Sequence, residues 1–232
     1  MHSEFNDREI ALSVASVRKN FDGDATIYVF GDDPGIEGII HVPMPKTETK
    51  FVDQRDKLKA AVAHPKIPNE FVWIHDDTFF LEKVNIDDLR IQRHFPNVKT
   101  LEHIKAWNAK NWDKRKKDTL IAVGERGYPV RDYATHMPMV YRKNNLRKMF
   151  ADWDFGGDLP HGSMESVYCN VFPGKVEPLY PFFWKWTIND RHPDISREEL
   201  LSGFEKAKVV NCSAQGFTPL ADELLTGMLE SK

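Results

Sequence analysis

The stretch Phe71-Val72-Trp73-Ile74-His75-Asp76-Asp77-Thr78-Phe79-Phe80 decides how this chain is read. An apolar run, Phe71 to Ile74, passes straight into His75, Asp76 and Asp77, and two phenylalanines follow. A short apolar run bounded by polar residues predicts a strand buried on both faces. In an open α/β sheet, ligands bind beyond the carboxyl ends of such strands. Two adjacent carboxylates at that point suit a divalent cation, whose hard charge prefers oxygen ligands. The plainer alternative is a strand closed by an acidic turn, since Asp is a common turn former.

Around this stretch, 232 residues suffice for one sizeable α/β domain with its own core. A hydrophobic share of 41% argues against disorder. With a net charge of −3 and a pI of about 6.3, no global basic field points to nucleic acid or an acidic membrane. No apolar run approaches the roughly 18–20 residues of a membrane span, and no signal peptide precedes the first expected helix. Cys169 and Cys212 lack paired metal-ligand spacing and fit reduced core thiols. A cytoplasmic enzyme is the expectation.

The flanking segments alternate between helix and strand patterns, which predicts the α/β class. Asn6 and Glu9 suit a capping box, and Ile10, Val14, Val17 and Phe21 lay one apolar stripe along the helix that follows. Strands are expected at 26–30 and 39–42, and a helix at 52–63 with Leu58, Ala61 and Val62 inward. Asp53, Arg55, Asp56, Lys57 and Lys59 should mostly face out, and His64-Pro65 should end that helix. Beyond the motif, a helix capped by Asn85 is expected over 84–93, with Phe79 and Phe80 as core plugs. Basic residues interleave with Trp107 and Trp112 over 101–117. That pattern grips a polyanion or a sugar ring, or else forms an amphipathic helix with solvated lysines. The acidic balance of the chain favours the amphipathic helix. Thr119 to Val123 reads as a further strand.

Later segments carry the remaining signals. His136 precedes the apolar run Met137 to Tyr141, so it is expected at a strand edge near the carboxylates. There a histidine serves as metal ligand, general acid/base or phosphate donor, or is merely structural. Asp152 to Gly162 is an acidic, glycine-rich loop able to shape an acceptor pocket. Ser163 suits the cap of a helix over 164–171, whose first-turn Glu165 either complements the helix dipole or faces the acceptor as a base. The aromatic stretch Pro178 to Trp186 is either a wall of that pocket or a core-covering loop. Ser196 with Glu199 makes another capping box, 208–211 a strand, and Thr218-Pro219 opens the last helix.

The segment His75 to Phe80 resembles the strand-end acidic motif of GT-A-type nucleotide-sugar transferases. It is closest to the Asp-Asp-x-Phe-Phe form of the Stealth sugar-phosphate transferases and related phage and bacterial glycosyltransferases. Asn6 to Val17 resembles the first helix of that group, and Ala134-Thr135-His136-Met137-Pro138-Met139 its later His-x-Pro segment. The resemblance implies a single GT-A-like domain over 1–232, three-layer α/β/α with a mixed, mainly parallel sheet. Met1 to Phe5 is too short to supply the family's first strand, which carries part of the nucleotide pocket, so either the sequence given starts inside the domain or that strand is absent.

The implied activity is metal-dependent transfer of a sugar from a nucleotide-sugar donor to a glycan or other hydroxyl acceptor, with Mn²⁺ or Mg²⁺ on the donor diphosphate. A modified DNA base is a further acceptor that phage relatives and the basic 101–117 stretch bring in. Asp77 would be the main metal ligand, and Asp76 would orient the ribose or a metal-bound water. His75 stands where the usual Asp-x-Asp pattern has its first acid. Arg55 falls on the helix expected to contact the donor, where a guanidinium pairs with a diphosphate or simply faces solvent. His136 and Arg131 are the groups available to a transferred phosphoryl, and Glu165 is a candidate base. The alternatives are sugar-1-phosphate transfer of the Stealth type and a nucleotide-sugar-binding module without catalysis.

Overall fold

The computed structural model describes residues 6–47, 49–96, 100–109, 111–155, 159, 162–187, 194–213 and 215–230. Helix α1 (Asn6–Asn20) leads into β1 (Tyr28–Gly31), β2 (Ile40–Pro43) and α2 (Lys50–Ala63). The motif region holds β3 (Glu70–Trp73), β4 (Thr78–Phe80), α3 (Ile86–Arg90) and β5 (Gln92–His94). Helices α4 (Leu101–Ala106) and α5 (Asn111–Glu125) precede β6 (Met139–Arg142), α6 (Lys143–Asp152) and α7 (Met164–Val171). The chain finishes with β7 (Val176–Pro178), β8 (Phe183–Trp186), α8 (Arg197–Lys206), β9 (Val209–Cys212) and α9 (Pro219–Glu230). Among the described residues no helix is long and apolar enough to cross a membrane.

The class is mixed α/β, and the described strands form small sheets rather than one broad one. Parallel pairs are β1–β2, β5–β7 and β8–β9; antiparallel pairs are β3–β6 and β4–β9. Strand β3 is only half-buried along its length, against the expected burial on both faces. In β4, successive side chains point to opposite faces. Phe79 therefore packs with Trp186, Leu200 and Phe204, while Phe80 packs with Val84, Phe183 and Val209. Both phenylalanines are fully buried, which makes them the expected core plugs.

The outer edge of β4 is covered by a helix. Ser13 Oγ donates to the Thr78 carbonyl at 2.7 Å, Ser16 Oγ accepts from Phe80 N at 3.0 Å, and Asn20 Nδ2 donates to the Phe80 carbonyl at 2.6 Å. Spacings of three and four put these side chains on one face of α1. They satisfy backbone groups that a neighbouring strand would otherwise take, so the edge is buried without a polar penalty. Val14 and Val17 bury beside them, as the apolar stripe predicts. Glu9 is buried, and its Oε1 accepts from the Cys212 thiol on β9.

Several caps form as their residues dictate. Asn85 and Ser196 each close a capping box, with Asp88 and Glu199 as the returning acids. Ser163 Oγ accepts from Ser166 N, and Pro219 is the first residue of α9. In α8, a Cβ at Gly203 would come within 2.4 Å of the Trp184 ring, so only glycine allows that helix to lie on β8.

Four expectations are corrected. The strand expected at 119–123 is the last part of α5, where Thr119, Leu120 and Val123 bury at helical spacing. The helix expected over 101–117 is two helices, α4 and α5. The helix expected over 84–93 shortens to α3 and is followed by β5. The aromatic stretch Pro178 to Trp186 contributes β8, whose Phe183 and Trp186 are core. Gly156, Gly157, Asp158, Pro160 and His161 of the acidic loop lie outside the described residues, as do Lys110 and the Trp112 side chain. Cys169 and Cys212 are free and buried, in agreement with their reading as core thiols.

Candidate functional site

Antiparallel pairing of β3 with β6 sets Trp73 opposite Met139. The carboxyl end of β3 thus lies beside the amino end of β6, and the residues just past the pairing meet. The rings of His75 and His136 stack at 4.6 Å between centroids with 26° between planes. His136 has φ +60°, left-handed backbone in a residue with a Cβ. Thr135 stabilises that turn, its Oγ1 accepting from Met137 N at 3.2 Å.

A second register builds the other wall. In the sheet β4–β9–β8, Asn211 pairs with Thr78 on one side and Lys185 on the other. Asn211 is fully buried, and its Nδ2 donates to Asp77 Oδ1 at 2.5 Å and to the Asp77 carbonyl at 2.9 Å. Asp77 is therefore held half-buried at the start of β4, while Asp76 beside it is exposed.

Glu165, on the first turn of α7, turns inward rather than only complementing the helix dipole. Its side chain is 8% exposed, and Oε1 lies 3.6 Å from His75 Nε2. Gln54 Nε2 donates to Oε1 at 2.7 Å and Ser163 Oγ to Oε2 at 3.0 Å. Burial alone would raise this carboxyl, but the His75 imidazole outweighs it and holds Glu165 well below the usual range. An acid so held is a weak base and a good anchor for a cationic imidazole. Burial likewise opposes charge on His75, yet Glu165, Asp77 and Asp76 hold it above the usual range. His136 goes the other way: burial, then the positive charges of His75 and Lys185, push it well down. The two stacked imidazoles are thus pushed in opposite directions, an arrangement typical of paired acid–base groups.

Burial is the main reason Asp77 titrates above the usual carboxylate range; His75 opposes the shift and Asp76 adds to it. Glu9 lies behind them, with the Cys212 thiol donating to its Oε1 at 3.1 Å. Its carboxyl is pushed up to about 7, first by burial; the Cys212 contact opposes this, and Asp76 and Asp77 add to it.

Of the residues singled out in the sequence, Asp76, Asp77, His136 and Glu165 come together here. Arg55 does not join them: its guanidinium donates to Asp56 and to the Phe155 carbonyl, and lines a cavity of about 310 Å³ with Lys59, Arg126 and Trp153. Arg131 is held through its backbone by Asn170 on α7, with no contact to the carboxylates among the described residues. Lys116 points inward instead of to solvent, 15% exposed and 3.3 Å from Asp132. Glu9, Asn211 and Lys185 are additional members. Only Lys185 had a signal in the sequence, as the one charged residue in the aromatic stretch Pro178 to Trp186. No protein-family model matches the chain, and neither does any curated protein.

Proposed function

We propose that the chain is a divalent-cation-dependent transferase that moves a sugar from a nucleotide-sugar donor to a hydroxyl acceptor, on a GT-A-like three-layer arrangement. The observation that carries this reading is the convergence of Asp76 and Asp77 with His136 at one strand end. Two separate segments that resemble the transferase group thereby form one polar site. A strand end is also where such sheets take their ligands.

The donor set fits Mn²⁺ or Mg²⁺ shared with a substrate. Among the described residues no group of three or more His, Cys, Asp or Glu could hold an ion alone. Such ions, however, are commonly held by one or two carboxylates plus substrate phosphates. Asp77, with one oxygen on Asn211, and exposed Asp76 supply that kind of partial shell. A bound cation would offset the charge that builds on the departing diphosphate.

In this reaction the bond from the anomeric carbon to the diphosphate oxygen breaks, and its electron pair leaves with the nucleoside diphosphate. The acceptor oxygen forms the new bond, and its proton passes to a base. His136, stacked on His75 at the strand end, is the group placed to take that proton, while Glu165 anchors His75 beside it. A second reading, sugar-1-phosphate transfer, draws on Lys185: with His75 it supplies cations for a phosphoryl in flight, which Arg131 does not.

A thermal-shift panel of nucleotide-sugars, each with and without Mn²⁺, tests the class. The expected result is stabilisation by one donor only when Mn²⁺ is present; a flat panel overturns the reading. Chromatography of the spent donor separates the two chemistries. Nucleoside diphosphate is expected, and a monophosphate formed in step with acceptor modification would favour sugar-phosphate transfer.

A further inference from the structure

We propose that Lys185 forms a seat for a phosphate of the donor, which lies between the Lys185 ammonium and the cation on Asp77. The inference rests on the nucleotide-sugar reading and names the part of the substrate that one residue recognises.

Lys185 projects from β8 opposite Asn211, the residue that holds Asp77. Both lie in the same small sheet, so their spacing is set by strand register rather than by a mobile loop. Lys185 is half-buried yet has no hydrogen bond and no ion pair within 4.0 Å among the described residues. Its charge and that of Asp77 act on each other across that longer gap. The stem of Lys185 is half-buried while its ammonium stays open to solvent, so the charge is free to meet an anionic ligand. Two further polar atoms of this site, His136 Nδ1 and Asn211 Oδ1, are buried without partners. Such groups in a folded protein call for an ion, a water or a function.

The order of charges identifies the occupant. A carboxylate and an ammonium too far apart to touch are joined by a cation next to the carboxylate and an anion next to the ammonium. A metal-bound diphosphate supplies that sequence, and an ammonium binds a phosphate as a point charge. A neutral sugar or an acceptor hydroxyl would leave the ammonium unmatched.

Calorimetric titration with inorganic pyrophosphate and Mn²⁺ tests the seat without reference to base, sugar or turnover. Wild type is expected to bind, Lys185→Met to bind about tenfold or more weakly at unchanged melting temperature, and Lys185→Arg to retain most affinity. Should the Lys185→Met variant not melt cooperatively, Lys185→Gln replaces it in the comparison. Equal binding by wild type and the uncharged variant, or no binding by wild type, overturns the seat. The two readings fail separately. A protein that binds Mn²⁺–pyrophosphate through Lys185 but no nucleotide-sugar keeps the seat and loses the donor. If a nucleotide-sugar stabilises wild type and the Lys185→Met variant equally well, the donor stands and the seat is lost.

Discussion

His75 and Glu165 come from opposite sides of the site, the end of β3 and the first turn of α7, and meet at 3.6 Å with side chains 17% and 8% exposed. Burial opposes charge on both, and each holds the other ionised. Removing one member leaves a buried charge unpaired, which is worth more than an exposed ion pair.

The pair gives stability a defined pH window. Glu165 is lowered in the fold, so its contribution is present above 4.5 and disappears only well below that. His75 is raised, so its contribution is full below 6.5 and is lost as pH rises through its folded value. Glu165→Gln should cost about 3 kcal/mol in urea unfolding at pH 5.5 and clearly less at pH 8.5. An equal loss at both values would mean that His75 carries no charge in the fold.

Asp77→Asn should abolish Mn²⁺-dependent donor binding and leave the fold intact. Burial makes the ionised carboxyl costly, and the amide keeps an oxygen for Asn211. The melting temperature at pH 7 should therefore hold or rise. A variant that binds donor and Mn²⁺ as well as wild type removes Asp77 from the metal.

Glu9 predicts a slope of the opposite kind. Its folded value of about 7 exceeds 4.5, so folding favours its proton. Stability is fully present below pH 4.5, falls between 4.5 and 7, and levels off above. Glu9→Gln should match wild type near pH 4.5 and exceed it by roughly 2–3 kcal/mol at pH 8. Parallel stability curves for the two proteins would show that Glu9 ionises freely.

Neighbouring lysines of α5 should behave differently. Lys114 pairs with Asp118 at the surface, both at least half exposed, so Lys114→Gln should change stability by less than about 0.5 kcal/mol. Lys116 reaches Asp132 and sits 4.9 Å over the Phe95 ring, so Lys116→Gln should cost about 1 kcal/mol. Neither change should uncover DNA binding. A wild-type protein that binds DNA with a steep salt dependence, lost when Lys114, Arg115, Lys116 and Lys117 become Gln, would restore the DNA-base acceptor.

Local chemistry made much of this fold legible. Caps such as Ser163, Asn85 and Ser196 act within one helical turn, so their residues announce them. Thr119 to Val123 misled because a short, largely apolar run suits a strand or a buried helical face equally. The polar residues before it, from Asn111 to Asp118, extend the same helix, and packing against α7 decides the outcome.

By itself the sequence determined an α/β chain and two buried phenylalanines behind an acidic pair. Each of these depends on residues within a few positions of one another, whereas His136 reaches the pair through the register of β3 on β6. Only the tertiary structure decided that Glu9, Asn211 and Lys185 join Asp77, and that Arg55 and Arg131 do not. Membership there is set by strand register across β4, β9 and β8 and by which face α1 and α2 bury. Those are long-range pairings, and no local spacing along the chain encodes them.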